Sequence, residues 1–298
     1  MHVFITGATG WVGSALVRDL IAHGHRVTGL SRSEAKGAAL AVTGATVLSG
    51  TLDDHELLRD AARNADAVAH LGFNHDFSNF AASCEQDRAA IETLGGALEG
   101  SDRPLIVTSG LAWLASGRLA TEDDTLPHDG SHPRRSEPEA SRWRDRGVRA
   151  TAVRLSPSTH GVGETHGFIP ILIDLARRTG VSAYPGEGAN RWAGVHRDAA
   201  ARLFRLVLER GIAEPALEPA WHAVAEEGIA FRDIAAAIGR RLGLPVESRE
   251  PGHFGWFGAF AAADMAASST RTRELTGWQP DGPGLIADIA DPAYFATP

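Results

Sequence analysis

Short apolar runs alternate with longer helical patterns in the first half of the chain. Runs rich in β-branched residues predict buried strands at 2–6, 26–30, 46–48, 66–71, 104–108 and 148–155. Apolar positions at helical spacing predict helices at 12–20, 54–63, 79–99 and 136–146. Strands that alternate with helices in this way are typical of right-handed β-α-β units. The pattern therefore predicts an α/β fold with a Rossmann-type doubly wound parallel sheet.

The second half of the chain is less regular. Helical patterns occur at 168–178, 197–210, 230–242, 270–276 and 284–289, and proline and glycine crowd the segments between the later ones. We expect this half to form a smaller, mixed lobe. The predicted domain limits are 1–158 for the sheet domain, completed by about 190–225, and 159–189 with 226–298 for the lobe.

Composition excludes several classes of protein. The 298 residues are 43% hydrophobic and 22% charged, which is ordinary for globular proteins of roughly two domains. One cysteine, Cys84, rules out an internal disulfide and a cysteine cluster for zinc, so we expect no metal. The net charge of −8 argues against a nucleic-acid partner. Without a membrane-length apolar run or a signal-peptide pattern, the chain is expected to be cytoplasmic. We expect it to be a monomer or a homodimer.

A glycine-rich turn joins the first predicted strand to the first predicted helix. The segment 6–13 reads T-G-A-T-G-W-V-G. Gly7 permits a tight turn, Gly10 lets the backbone approach a pyrophosphate, and Gly13 lets the helix pack closely on the sheet. The helix N-terminus offers N–H groups to phosphates. Strand, spacing and helix together predict a dinucleotide-binding site.

The residues after the second strand distinguish NAD from NADP. An acidic residue there binds the ribose hydroxyls of NAD, whereas a basic residue accommodates the 2′-phosphate of NADP. The chain has Ser31, Arg32 and Ser33 here, with Lys36 nearby, and its first acid is Glu34. We therefore expect NADP, with NAD possible. The alternative is that Arg32 is a solvated loop residue in an arginine-rich chain.

Motifs spread over the whole chain form a consistent set. They are T-G-x-x-G-x-x-G at 6–13, G-T-L-D-D at 50–54, H-L-G at 70–72, T-S-G at 108–110, R-L-S-P-S-T-H-G at 154–161, V-H-R-D-A-A at 195–200 and L-T-G-W-Q-P at 275–280. Together they resemble the extended branch of the short-chain dehydrogenase/reductase superfamily, also called the NAD-dependent epimerase/dehydratase family. The resemblance implies a Rossmann fold, a nicotinamide cofactor and a small-molecule substrate bound by the second-half lobe.

The resemblance also implies which residues line the cofactor. Those along the pyrophosphate are Gly7, Gly10, Trp11 and Val12, and those beside the adenine are Thr51 and Leu52. Those beside the inner ribose are Leu71, Gly72 and Phe73, and those facing the nicotinamide are Ser156 and Pro157. Thr9 and Thr108 complete the predicted cofactor-binding set. Thr51 stands where the family usually has aspartate, so that adenine contact is weakened.

The usual catalytic pair of the family is missing from this sequence. In Tyr-x-x-x-Lys, the lysine cation lowers the tyrosine pKa so that the phenol can exchange a proton with the substrate. The single lysine, Lys36, and the two tyrosines, Tyr184 and Tyr294, lie far from the expected position. Glu137 is similar to the glutamate that often follows the family lysine, which places the missing tyrosine within 129–135. We therefore expect a different proton donor.

Three residues are candidates for that donor. Ser109 is the hydroxyl at the end of the fifth strand, although it can instead close the strand by hydrogen bonding. His132 lies in the segment of the missing tyrosine, and His160 lies on the loop expected near the nicotinamide. A histidine pKa near 6.5 suits proton transfer at neutral pH, but histidines on polar loops are often only solvated. The choice between the three stays open.

The sequence predicts an NADP-dependent oxidoreductase that transfers a hydride to or from a small, fairly apolar carbonyl, alkene or imine. Phe254, Trp256 and Phe257 are expected to form either an apolar substrate wall or part of the core. Two other functions stay open. One is a nucleotide-sugar epimerase or dehydratase, which needs the tyrosine base even more. The other is a non-catalytic NADP-binding redox sensor, which the loss of the catalytic pair favours.

Overall fold

The computed structural model describes residues 1–76, 79–115, 117–126, 134–214 and 216–295. The chain forms two compact units. Unit 1 comprises Met1–Ser109, Leu126–Arg154 and Ala201–Trp221, and unit 2 comprises Gly110–Thr125, Leu155–Ala200 and His222–Pro298. Each unit is therefore assembled from separate stretches of sequence.

Strands and helices alternate through the first half of the chain. The strands are β1 (His2–Thr6), β2 (Arg26–Ser31), β3 (Thr46–Ser49), β4 (Ala67–His70), β5 (Pro104–Gly110), β6 (Arg149–Leu155), β7 (Ser158–His160), β8 (Ser182–Pro185), β9 (Arg191–His196), β10 (Ala220–Ala223), β11 (Glu226–Ala230) and β12 (Val246–Arg249). The α-helices are α1 (Trp11–Ala22), α2 (Glu34–Val42), α3 (His55–Arg63), α4 (Phe80–Leu98), α5 (Ser136–Asp145), α6 (Phe168–Thr179), α7 (Arg197–Ala213), α8 (Phe231–Leu242), α9 (Gly258–Ala262), α10 (Thr270–Thr276) and α11 (Leu285–Ala290).

The main sheet has seven strands in the order β10-β6-β5-β4-β1-β2-β3. β1 pairs in parallel with both β2 and β4, and the β2–β3 and β4–β5 pairs are parallel too. The strand order reverses between β1 and β4, which is where open α/β sheets bind ligands, outside the carboxyl ends of the strands. The predicted Rossmann-type α/β fold is confirmed.

Unit 1 has a continuous apolar core between its sheet and helices α3 to α5. The core includes Phe4, Val68 and Leu105 from the strands, all fully buried. Trp143 of α5 lies against Gly95 of α4, where an added Cβ would be 2.5 Å from three ring carbons. Only glycine therefore lets these two helices approach so closely.

Unit 2 has a separate core rich in aromatic rings. Trp192 is fully buried, and its ring centroid lies 5.0 Å from that of Phe231 and 6.0 Å from that of Phe257. Phe254 and Phe257 are buried, so these two members of the predicted aromatic group belong to the core. Trp256 is different, since 58% of its surface is exposed.

Unit 2 contains two small sheets in addition to its helices. One has the strand order β11-β9-β7, and the other pairs β8 in parallel with β12. The sequence did not predict β7 to β12, which are three to six residues long and lie outside the regular alternation of strands and helices in the first half of the chain. It also missed α2, which buries only Gly37 and Leu40 and therefore has a very narrow apolar stripe.

Candidate cofactor site

The turn between β1 and α1 presents backbone atoms at the carboxyl edge of the sheet. Gly7 has a φ of +70°, a left-handed conformation that glycine adopts without strain. A Cβ at Gly7 would lie 2.6 Å from the backbone nitrogen of Gly72. The N–H of Gly10 donates a hydrogen bond of 2.9 Å to the carbonyl oxygen of Gly7 and closes the turn. A side chain at residue 7 therefore has no room.

The other two glycines of the turn differ in their surroundings. Gly13 is buried, and a Cβ there would overlap the carbonyl oxygen of Gly7. Gly10 is exposed at the N-cap of α1, and a Cβ there would meet only that same oxygen, at 3.1 Å. None of the described side chains caps α1, and its first turn carries no acidic residue. The helix N-terminus therefore keeps its partial positive charge for an anion.

Arg32 directly follows β2 and is exposed. On either side of it, the serines shape the turn. The hydroxyl of Ser31 is buried and donates to the carbonyl of Ser33 at 2.9 Å. The hydroxyl of Ser33 caps α2 by accepting from the N–H of Lys36 at 3.4 Å. Arg32 is thus an exposed charged group at this turn, and Glu34 and Lys36 at the start of α2 are exposed as well.

The loops after β3 and β4 meet at the same edge. Thr51 donates from its N–H and its hydroxyl to one carboxylate oxygen of Asp54, at 2.6 and 2.9 Å. The backbone hydrogen bond, followed by the hydroxyl bond, lowers the pKa of Asp54. A Cβ on Gly72 would lie 3.0 Å from the Leu52 side chain. Leu52 and Gly72, predicted to line different parts of the nucleotide, are therefore neighbours.

A chain of buried polar side chains runs through unit 1 behind this edge. The hydroxyl of Thr6 lies 2.7 Å from Nδ1 of His70, whose Nε2 lies 3.1 Å from Oδ1 of Asp87. Oδ2 of Asp87 accepts a hydrogen bond of 2.6 Å from the hydroxyl of Ser136, the first residue of α5. The hydroxyl of Thr6 also accepts from the N–H of Gly72 at 3.1 Å. These hydrogen-bonded side chains link the glycine turn to the start of α5.

The carboxyl group of Asp87, in the middle of this row of polar side chains, is completely buried. Burial raises its pKa, but the hydrogen bond with His70 and the positive charge of Arg134 outweigh burial, with a smaller contribution from Ser136. The net effect is a pKa below the ordinary aspartate value. The group therefore carries a negative charge at neutral pH, which a protein tolerates in its interior only with hydrogen-bonding partners.

Arg134 occupies the end of the polar chain. Its Nε donates to the hydroxyl of Ser136 at 2.9 Å, and its Nη2 donates to the carbonyl oxygen of Thr108 at 2.8 Å. Its guanidinium carbon lies 4.2 Å from the centroid of the Phe73 ring, within the range of a cation–π contact. Arg134 was not predicted from the sequence. The available signal was its position inside 129–135, the segment that lacks the family tyrosine.

The three candidate proton donors differ in their surroundings. Ser109 lies next to the end of β5 and is 5% exposed. His132 lies outside the described residues. His160 belongs to unit 2 and is fully buried, with Nδ1 2.6 Å from Oδ2 of Asp288. Its Nε2 makes no hydrogen bond with any residue that the structure describes. The ring of His160 would have to become accessible before it could meet a substrate.

The two residues predicted to face the nicotinamide, Ser156 and Pro157, lie in unit 2. The hydroxyl of Ser156 is buried and donates to the carbonyl oxygen of Ala223 at 2.7 Å. Pro157 is half-buried. Within the described ranges, the structure shows no group of three or more His, Cys, Asp or Glu side chains suited to a metal ion. No helix in that part of the chain has the length and apolarity to cross a membrane.

Comparison with known proteins gives matches in sequence and in fold. The model of the "NAD dependent epimerase/dehydratase family" matches residues 3–92. A Schizosaccharomyces pombe protein that carries the name "Uncharacterized protein" is 43% identical over 300 residues, covering 99% of this chain and 100% of the relative.

Two further matches carry a stated activity in their names. The 4-hydroxy-2-methyl-3-oxo-4-farnesyl-3,4-dihydroquinoline-1-oxide ketoreductase of Stigmatella aurantiaca is 28% identical over 187 residues, 59% of this chain and 55% of the relative. The crystal structure of Thermus thermophilus UDP-glucose 4-epimerase in complex with NAD superimposes with a TM-score of 0.74, covering 97% of both chains at 19% identity. At that identity, the similarity to the epimerase is one of fold.

Proposed function

Because the chain belongs to the NAD-dependent epimerase/dehydratase family, we propose that it is an NADP-dependent oxidoreductase that transfers a hydride to or from a small, fairly apolar carbonyl, alkene or imine. The observation that carries the proposal is the glycine turn, in which Gly7 and Gly13 have no room for a side chain and Gly10 is exposed. The Stigmatella relative, named a ketoreductase, supports a carbonyl as the hydride acceptor.

The pyrophosphate would bind at the turn between β1 and α1. The exposed backbone at Gly10 allows close approach, and the N-terminus of α1 stabilises negative charge. Thr51 and Leu52 after β3 would border the adenine, and Leu71, Gly72 and Phe73 after β4 would border the inner ribose. The bound nicotinamide supplies the hydride chemistry, and the residues of the chain orient it.

The preference for NADP rests on the charge at the end of β2. Arg32 is exposed there, and the neighbouring serines use their hydroxyls to shape the turn. A guanidinium forms strong charge-assisted hydrogen bonds with phosphate, whereas the 2′-hydroxyl of NAD offers it no charge. Residues 31–33 contain no acidic side chain, which is the group that would bind the ribose hydroxyls of NAD.

Carbonyl reduction also requires a proton, and Ser109, His132 and His160 remain the proposed donors. Ser109 directly follows Thr108, whose carbonyl oxygen binds Arg134. Ser109 therefore lies beside a fixed positive charge. A positive charge near a developing alkoxide stabilises it, which favours a carbonyl bound close to this strand end.

Titration of the full chain with NADPH and NADH, followed by turnover assays, tests the proposed function. We expect tighter binding of NADPH and its oxidation by at least one member of a panel of apolar ketones, aldehydes, imines and activated alkenes. Equal affinity for the two cofactors would overturn the NADP preference. Binding of NADPH without any turnover would favour a redox sensor, and conversion of a sugar nucleotide without net cofactor oxidation would favour an isomerase.

A further inference from the structure

Arg134 bridges two segments at the carboxyl edge of the sheet in unit 1. It contacts the ring of Phe73, which follows β4, and the carbonyl oxygen of Thr108, near the end of β5. The glycine turn and Arg32 belong to the other side of the switch point, with β1 and β2. Folds of this type bind one half of a dinucleotide on each side of the switch point. Arg134 therefore lies on the side left for the nicotinamide half.

We propose that Arg134 binds the phosphoribosyl group of the nicotinamide half of the cofactor through its guanidinium, an inference that rests on the proposed function. A guanidinium is a fixed planar cation whose N–H groups match phosphate and ribose oxygens. Arg134 would therefore hold the cofactor at its reactive end, while Arg32 holds it at the adenine end.

The guanidinium is oriented before any ligand binds. Two hydrogen bonds, from Nε to Ser136 and from Nη2 to Thr108, fix its plane, and the Phe73 ring supports one face. Ser136 is itself held by its hydrogen bond to the buried Asp87. A long side chain that is already ordered loses less conformational entropy on binding, so this arrangement favours affinity.

A purely structural role explains these contacts less well. The carboxylate of Asp87 already has a hydrogen-bonding partner on each oxygen, His70 on one and Ser136 on the other. Arg134 donates a hydrogen bond to Ser136 and is linked to Asp87 through it, and its side chain is half-buried and not enclosed in the core. The buried carboxylate of Asp87 anchors Ser136, and Ser136 in turn holds the guanidinium of Arg134 at the edge of the sheet where ligands bind.

Three probes of increasing length test this assignment in the full chain. Adenosine 2′,5′-bisphosphate lacks the nicotinamide-side phosphoribosyl group, 2′-phospho-ADP-ribose contains it without the ring, and NADPH contains both. In Arg134→Ala, we expect the affinity for NADPH and for 2′-phospho-ADP-ribose to fall by about tenfold or more, because hydrogen bonds to charged groups are lost. The affinity for adenosine 2′,5′-bisphosphate should stay unchanged. Arg134→Lys should recover part of the lost affinity, because it keeps the charge.

Arg135→Ala is the matched control, because Arg135 is the neighbouring arginine and is exposed. It should leave the affinity for all three probes unchanged. If Arg134→Ala does not fold, Arg134→Gln replaces it, since the amide keeps hydrogen-bonding capacity without the charge. Equal affinity of the unmodified protein and the variant for all three probes would overturn the inference, and so would an equal loss for all three. Failure of the unmodified chain to bind NADPH would instead overturn the proposed function.

Discussion

The N–H of Gly10 donates a 2.9 Å hydrogen bond to the carbonyl oxygen of Gly7, and that same oxygen occupies the space that a side chain at Gly13 would need. The carbonyl group of Gly7 thus closes the turn and also sets how closely α1 approaches the turn. Of the two later glycines, Gly10 lies at the exposed surface and Gly13 lies in the interior. This difference predicts two distinct results on substitution.

Gly10→Val should abolish NADPH binding and leave a folded protein. The φ of Gly10 is −79°, which any residue adopts, and an added Cβ meets only one atom closer than 4 Å. The larger side chain would instead fill the space of the pyrophosphate. Fluorescence titration measures binding, and circular dichroism checks the fold. Micromolar binding by this variant would contradict a pyrophosphate site at the turn.

Gly13→Ala is the comparison for that experiment, because it should reduce stability as well as binding. The added methyl group would force α1 away from the turn, and overpacking of this kind typically costs about 1–3 kcal/mol. We expect a lower melting temperature than in Gly10→Val. A melting temperature equal to that of the unmodified protein would show that the turn adapts more easily than its backbone contacts suggest.

Arg32→Ala should narrow the preference for NADPH over NADH by about tenfold, through weaker NADPH binding, because a charge-assisted hydrogen bond to phosphate is lost. Arg26→Ala is the control. Arg26 is exposed at the opposite end of the same strand, so its removal changes the net charge equally without touching the turn. An identical effect of both substitutions would indicate a general charge effect in place of a 2′-phosphate contact.

The pH dependence of turnover should identify the proton donor. A general acid must be protonated to act, so reduction slows as the pH rises through its pKa. A histidine donor should give an apparent pKa within about two units of 6.5 in the profile of turnover against pH. The fall in turnover around this pKa should vanish in His132→Asn or His160→Asn. The exposed His23→Asn serves as the control. An unchanged profile in both variants and in their double would leave Ser109, bound water or the substrate itself as the proton source. If Ser109 is the donor, Ser109→Ala should slow turnover without altering NADPH affinity.

Glu164 should make the protein less stable as the pH rises. It lies buried between β7 and α6 with its carboxyl group against the hydroxyl of Tyr294, and burial raises its pKa from 4.5 to about 8. The folded state therefore binds a proton that the unfolded state releases, so this stability is complete below about pH 4.5 and is lost as the pH rises to about 8.

Melting temperatures at pH 6 and pH 9 measure this effect. Glu164→Gln keeps the side chain neutral. The melting temperature of this variant should therefore fall less between pH 6 and pH 9 than that of the unmodified protein, by about 3 °C or more. Glu187→Gln, at an exposed site in the same unit, should behave like the unmodified protein. Equal decreases in the unmodified protein and in Glu164→Gln would contradict a neutral buried carboxyl group.

The fold of the first half follows from local pattern. Strands such as β1 and β5 are continuous apolar runs, and α4 carries a long stripe of buried positions, so a short window of sequence predicts them. The strands of unit 2 do not have this property. β8, for example, pairs with β12, and Ser182 lies opposite Val246, a partner that no local window contains.

The candidate site was predictable where a motif fixes the backbone and not where side chains meet across the fold. The glycine turn and Arg32 are adjacent to secondary-structure boundaries that the pattern already predicts. The contact of Arg134 with Phe73 and Thr108 joins three segments that are distant in sequence. The buried ring of His160 contacts Asp288 of α11, a helix that lies far from His160 in the sequence.

Transfer of deuterium from NADPH labelled at C4 of the nicotinamide tests directly whether the chain is an oxidoreductase. The full chain is incubated with each labelled C4 epimer and with a panel of small apolar carbonyl, imine and alkene substrates, and the products are analysed by mass spectrometry. We predict that at least one product gains one deuterium from one epimer only, since a bound cofactor presents a single face to the substrate. Bound NADPH that transfers no deuterium to any member of the panel would contradict the assignment as an oxidoreductase.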